Sequence, residues 1–120
     1  MPLSTNYLFV VTMDVAKDKE ALFNEVYDSE HVPLLLKVPG VKAVTRMKTE
    51  PASFNIGGEH KLLDGGGLPT YVAIYEIESP DVLSSNEWRE AAEKGRWPSQ
   101  VRPYTTNRHH VVRKVISAAS

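Results

Sequence analysis

Tyr27-Asp28-Ser29-Glu30-His31-Val32-Pro33-Leu34-Leu35-Leu36-Lys37-Val38-Pro39-Gly40-Val41 joins the end of a helix, a histidine beside that end, a helix-limiting proline and a turn into a strand. Upstream, Leu22, Phe23, Val26, Tyr27 and Glu30/His31 recur at three- and four-residue spacing, which predicts a helix from Lys17 to about Val32. Asp18 and Glu20 fall in its first turn, where the helix dipole favours negative charge. Pro33 disfavours helical geometry at Val32, so an end or a kink is expected there. Pro39-Gly40 reads as a tight turn.

Outward from this stretch, Tyr7 to Met13 is β-branched and aromatic, a first strand, followed by a short connection over Asp14 to Ala16. Val41 to Glu50 alternates Val41, Ala43, Thr45 and Met47 with a more polar side of Lys42, Val44, Arg46 and Lys48, a second strand. Residues 51–69 lack periodicity and carry Gly57-Gly58 and Gly65-Gly66-Gly67, which reads as a long loop acting as a flap. Tyr71 to Glu78 is a third strand. Ser79-Pro80-Asp81 signals a short helical turn, and a capping box between Ser84 and Glu87 starts a helix through Trp88, Ala91 and Ala92 to Lys94, stopped by Gly95. Trp97-Pro98 to Pro103 reads as an irregular connection, Thr105 to Ile116 as the last strand, and Ser117 to Ser120 as a frayed end.

The chain has 120 residues, enough for one domain with a two-layer core but small enough to gain from a partner subunit. A net charge of -1 offers no electrostatic reason to expect nucleic acid or an anionic membrane. The absence of cysteine excludes disulfides, thiolate metal sites and cysteine nucleophiles. Met1-Pro2-Leu3-Ser4-Thr5-Asn6 lacks the basic start of a signal peptide, and no apolar run approaches the ~20 residues of a membrane span, so a soluble, cytoplasmic protein is expected.

The order strand, helix, strand, strand, helix, strand is the ferredoxin-like β-α-β-β-α-β pattern of an α+β fold, a four-stranded antiparallel sheet with both helices on one face. Strands one and three are apolar on both sides: Tyr7, Phe9 and Val11 against Leu8 and Val10, and Tyr71, Ala73, Tyr75 and Ile77 against Val72 and Ile74. That topology places these two strands in the centre. Helices cover only one face, so the other needs a cover of its own, and a homodimer closing two sheets into a barrel-like unit supplies it.

On Tyr27, His31, Pro33, Leu34, Pro39 and Gly40, an aromatic followed by His-x-Pro and Pro-Gly at a helix end, the chain resembles the EthD-like branch of the dimeric α+β barrel superfamily. The resemblance implies small-molecule chemistry or binding without a cofactor, in a superfamily that includes cofactor-independent monooxygenases, lactone isomerases, polyketide cyclases and haem enzymes. Its residues leave two functions open. One is a cofactor-free oxygenase, isomerase or lyase acting on an apolar or aromatic metabolite. The other is a non-catalytic dimeric binding or accessory protein for a hydrophobic metabolite.

His31 is the first candidate, because a histidine exchanges protons near neutral pH and suits a general base; alternatively its ring caps the last helical turn. Tyr27, one turn earlier on the same face, is either a hydrogen-bond donor to substrate or a core aromatic. Tyr7, Phe9, Tyr71 and Tyr75 are expected to form an aromatic cavity, with Trp97 as a lid or anchor. His109 and His110 are adjacent in a strand and point to opposite faces; His109, sharing a face with Asn107, is expected to line a dimer-side cavity. The four histidines show no metal-ligand spacing. Arg108, Arg113 and Lys114 read as a solvated edge-strand face.

Overall fold

The computed structural model describes residues 3–120, so the first two residues of the amino-terminal reading lie outside the described residues. A four-stranded antiparallel sheet has the order β2-β5-β1-β6, from β1 (Tyr7–Val15), β2 (Val41–Lys48), β5 (Tyr71–Ile77) and β6 (Thr105–Lys114). The two-sided apolar strands β1 and β5 are central, as their composition requires. Along β5 every second residue is buried, and these residues together with Val11 and Met13 form one side of the core. Phe23, Val26, Tyr27, Leu35, Ala91 and Val101 form the other.

The first helical segment comprises α1 (Glu20–Val26), a π turn (Tyr27–His31) and α2 (Val32–Leu36). Of the two outcomes Pro33 allows at Val32, an end or a kink, the helix does not end there but is interrupted by the π turn. The Val32 amide donates to the Tyr27 carbonyl, five residues back. This widened turn falls immediately before Pro33, whose ring would otherwise meet the carbonyl four residues earlier. It also sets a face. Phe23, Tyr27, His31 and Leu35 are all buried at strict four-residue spacing. In an unbroken α-helix such a row drifts by about 40° per step, and the wider turn pulls it back over the sheet.

After Pro39 the chain reverses at Gly40, where φ is +93° and an added Cβ would lie 2.5 Å from Val82 Cγ2. Pairing between β2 and β5 slips between Val41 and Ala43. That bulge inverts the side-chain alternation, so Val44 and Arg46 turn toward the helices. Arg46, read from the sequence as part of a polar face, lies over the Tyr27 ring at 4.5 Å.

Residues 51–69 are not a structureless flap. They form a hairpin, β3 (Ala52–Ile56) and β4 (Glu59–Leu63), reversing at Gly57 and Gly58 with φ of +58° and +78°. Positive φ at both turn positions is what a two-residue hairpin loop demands. All ten strand residues are exposed. His60 Nδ1 and Asn55 Oδ1 bond across the strands at 3.0 Å. The hairpin stands away from the main sheet: the radius of gyration is 16.0 Å, against ~14 Å for a compact chain of this length.

Ser79 caps the turn at Pro80–Ser84, accepting from the Asp81 amide. The cap of α3 (Asn86–Ala92) is Ser85 rather than Ser84: its hydroxyl accepts from the Trp88 amide at 3.1 Å, so the expected box with Glu87 does not form. Between α3 and β6 the chain is ordered into a second π turn (Trp97–Val101) and a 3-10 turn (Arg102–Tyr104).

Candidate functional site

A cavity of about 150 Å³ opens between the π turn and the sheet. His31, Tyr27, Tyr75, Phe9, Trp88 and Trp97 line it, with Arg102, Arg108 and His110 also contributing. Four of these nine come from the two π turns and β5, the elements that meet over the centre of the sheet.

His31 is 6% exposed. Its ring stacks on Trp97 with centroids 4.5 Å apart and planes 18° from parallel, and Tyr27 meets its edge at 5.2 Å. Nδ1 of His31 is buried with no hydrogen-bond partner. Burial first, and the positive charge of Arg102 second, push the imidazole pKa down to about 4; the carboxylate of Glu93 opposes them. At neutral pH His31 is therefore uncharged. Beneath it the hydroxyls of Tyr27 and Tyr75 bond to each other at 2.9 Å, and burial raises the pKa of both phenols. The polar groups of the cavity floor are thus all neutral.

Two side chains that the sequence did not single out hold this arrangement. Glu30 accepts from the Arg96 amide at 2.9 Å and pairs with the Arg96 side chain, which fixes the turn leading into Trp97. Arg46 donates to Asn24 at 2.7 Å and to Asp28 at 2.8 Å, with its guanidinium face on Tyr27. The signal for Arg46 was a cation in a strand otherwise suited to the sheet, hidden by the bulge.

The structure brings together His31, Tyr27, Phe9, Tyr75 and Trp97. It places the other expected residues elsewhere. Tyr71 borders a smaller hollow with Phe23 and Arg46, and its hydroxyl donates to Glu20. Tyr7 lies at the far end of β1, opposite Ile77 and Lys114, and is not part of the cavity lining. His110, opposite Val11 on the helix-covered face, reaches the cavity and stacks near Phe9 at 6.0 Å. His109 lies on the other face, bonded to Asn107 Oδ1 at 3.1 Å. Asn107 has a φ of +51°, and its amide group also donates to Asp14 at 3.2 Å. Among the described residues no group of three His, Cys, Asp or Glu side chains converges as a metal site.

Fold and cavity together define a ferredoxin-like α+β chain with a small aromatic pocket on the helix side of its sheet. A crystal structure of an EthD (ethyl tert-butyl ether D) family protein from Bacillus halodurans C-125 is similar, with a TM-score of 0.55 at 13% sequence identity, covering 92% of this chain and 99% of that one. So is a MhuD variant with two manganese protoporphyrin IX molecules bound per active site, with a TM-score of 0.63 at 10% identity, covering 95% and 98%. No protein-family model and no curated protein matches the sequence. Both similarities are of fold: the ferredoxin-like α+β arrangement expected for this chain is shared by these two structures.

Proposed function

We propose that the chain is a small-molecule enzyme of the EthD-like kind, holding an apolar or aromatic metabolite in the cavity, with His31 as the group that takes a proton from it. The observation that carries this reading is the unpartnered, buried Nδ1 of His31 in an aromatic-lined cavity. Leaving a buried polar atom unpaired costs about 1–3 kcal/mol, a cost the fold bears to hold this ring in the cavity wall. A base of such low pKa takes protons only from acidic groups. A phenol, an enol or a carbon between two carbonyls fits; an unactivated C–H does not. Of Tyr27 and Tyr75, one hydroxyl donates to the other, and the remaining phenol proton is the donor to the oxygen on which charge develops.

Binding without turnover is the second reading, favoured by the distance of the His31 pKa from neutral pH. Titration with phenol, followed by thermal shift and tryptophan emission, tests both. The wild type should bind, and His31→Gln should weaken binding by about tenfold or more while melting within a few degrees of wild type. Unchanged affinity in His31→Gln would remove His31 from the site. Turnover of an activated phenolic or enolic substrate by the wild type, lost in His31→Gln, separates enzyme from binding protein.

A second copy of the chain is the proposed cover for the open face of the sheet. Leu8, Val10, Val72 and Ile74 point away from the helices there and are only partly buried. Sedimentation equilibrium should return twice the 13.4 kDa chain mass. A monomer at micromolar concentration would exclude this arrangement. No helix is long and apolar enough to cross a membrane among the described residues.

A further inference from the structure

The cavity around His31 has a charge balance that its aromatic lining does not require. Arg102, Arg108 and His110 contribute to its wall, and no aspartate or glutamate does. Arg102 is already neutralised: its two terminal nitrogens donate to the two carboxylate oxygens of Glu93 at 2.8 and 2.6 Å. Arg108 makes no ion pair among the described residues. It is exposed on an edge strand, as its sequence position suggested, and it also borders the cavity. Two residues apart on β6, Arg108 and His110 share a face of the strand.

The rest of the wall says what body such an anion carries. Phe9, Trp88 and Trp97 are apolar and flat-sided, and about 150 Å³ of apolar space is the size that holds a single benzene ring. The deep polar groups are neutral, so the ligand's charge has no counterpart at depth and belongs at Arg108, which is exposed to water. A guanidinium presents two parallel N–H donors that match the two oxygens of a carboxylate. We infer that the cavity takes the anion of a small one-ring or similarly compact hydrophobic acid, with its carboxylate on Arg108 and its apolar body among Phe9, Trp88 and Trp97. This assignment rests on the reading of the cavity as a ligand site and adds the substrate class to it. His110 supports it from the side: burial, the charge of Arg108 and the neighbouring His109 lower its pKa, so it adds hydrogen-bonding capacity more than charge.

The test compares benzoate with benzamide, two probes of nearly the same shape that differ in charge. Both tryptophans of the chain line the cavity, so their emission reports occupancy directly. The wild type should bind benzoate about tenfold or more tightly than benzamide, and added salt should shrink that preference. Arg108→Met, which keeps the apolar stem, should bring the two probes to similar affinity, with benzoate losing far more than benzamide. Equal affinities in the wild type, or a preference that survives Arg108→Met, would overturn the role of Arg108 and leave the cavity intact as a ligand site. If neither probe alters the emission at millimolar concentration, the cavity takes no ring at all, and the proposed function falls together with this inference.

Discussion

Between pH 6.5 and about 4 the folded protein should lose about 3 kcal/mol of stability, and His31→Phe should remove most of that loss. Burial holds the His31 imidazole near pKa 4, whereas the same side chain titrates near 6.5 in the unfolded chain. In this window the unfolded chain binds a proton that the native protein refuses, so acid favours unfolding. Below about 4 both states are protonated and the difference stops growing. The carboxylates act in a separate range. Glu20, Glu30 and Glu93 all have lowered pKa values, from hydrogen bonds with Tyr71, Arg96 and Arg102 respectively. Their contributions are complete above the usual carboxylate range and fade below it, in more acidic solution. His110 acts in the same direction as His31 but is partly exposed, and leaves a small residual slope in the variant. At pH 7 His31→Phe should be as stable as the wild type or more so, since it removes an unpaired buried polar atom and keeps a ring against Trp97. Urea unfolding at pH 7, 6, 5 and 4 checks both statements. Parallel curves for the two proteins would mean that His31 does not titrate as a buried group.

The larger loss should come from Phe23→Ala, about 3–5 kcal/mol at neutral pH. Phe23 is 0% exposed and contacts three other rings: Tyr71 at 4.8 Å, Tyr27 at 5.5 Å and Trp97 at 5.9 Å between centroids. Arg46 closes the cluster from above, with its guanidinium 5.4 Å from the Phe23 ring. Removing the ring loses its transfer free energy and leaves a void that these large, mutually braced side chains cannot fill. The damage also reaches the site, because Tyr27 and Trp97 are the two rings that hold His31. Phe23→Leu, which keeps most of the volume, should cost less than half as much. Denaturant unfolding gives the stabilities, and near-ultraviolet circular dichroism reports whether the tryptophans lose their fixed setting. A change below about 1 kcal/mol would show that Phe23 is not central to the core.

Most of the sheet was legible because burial leaves a plain mark on composition. Val10 and Val11, or Ile74 and Tyr75, put apolar side chains on both faces, the mark of strands at the centre of the sheet. The helix-end histidine was legible for a different reason, the fixed order His31-Val32-Pro33. What stayed hidden depends on register. The bulge between Val41 and Ala43 turns Arg46 inward without altering any pattern of residue types. The wider turn before Pro33 needs a hydrogen bond that skips one residue. Ser84 and Ser85 are equally good caps on paper, and in the structure it is the Ser85 hydroxyl that accepts from the Trp88 amide. His109 and His110 are adjacent, and only pairing with β1 decides which one meets the cavity. The hairpin did carry a signal, the Gly57-Gly58 pair between two short runs, but its strands have no buried face and so no alternation that stands out.

The strand order β2-β5-β1-β6 has a further consequence for how the chain acquires this shape. β1 and β2 are made first, yet they are never neighbours. In the main sheet each strand of the amino-terminal half pairs only with strands of the carboxy-terminal half: β2 with β5, and β1 with β5 and β6. During synthesis the first two strands therefore have no native ladder to join, and the hairpin of β3 and β4 is the one stretch of sheet that forms from near neighbours. The main sheet closes like interleaved fingers once β5 and β6 arrive. Until then the apolar β1 depends on the helix that follows it for shelter, which places the burden of early solubility on the segment that carries His31.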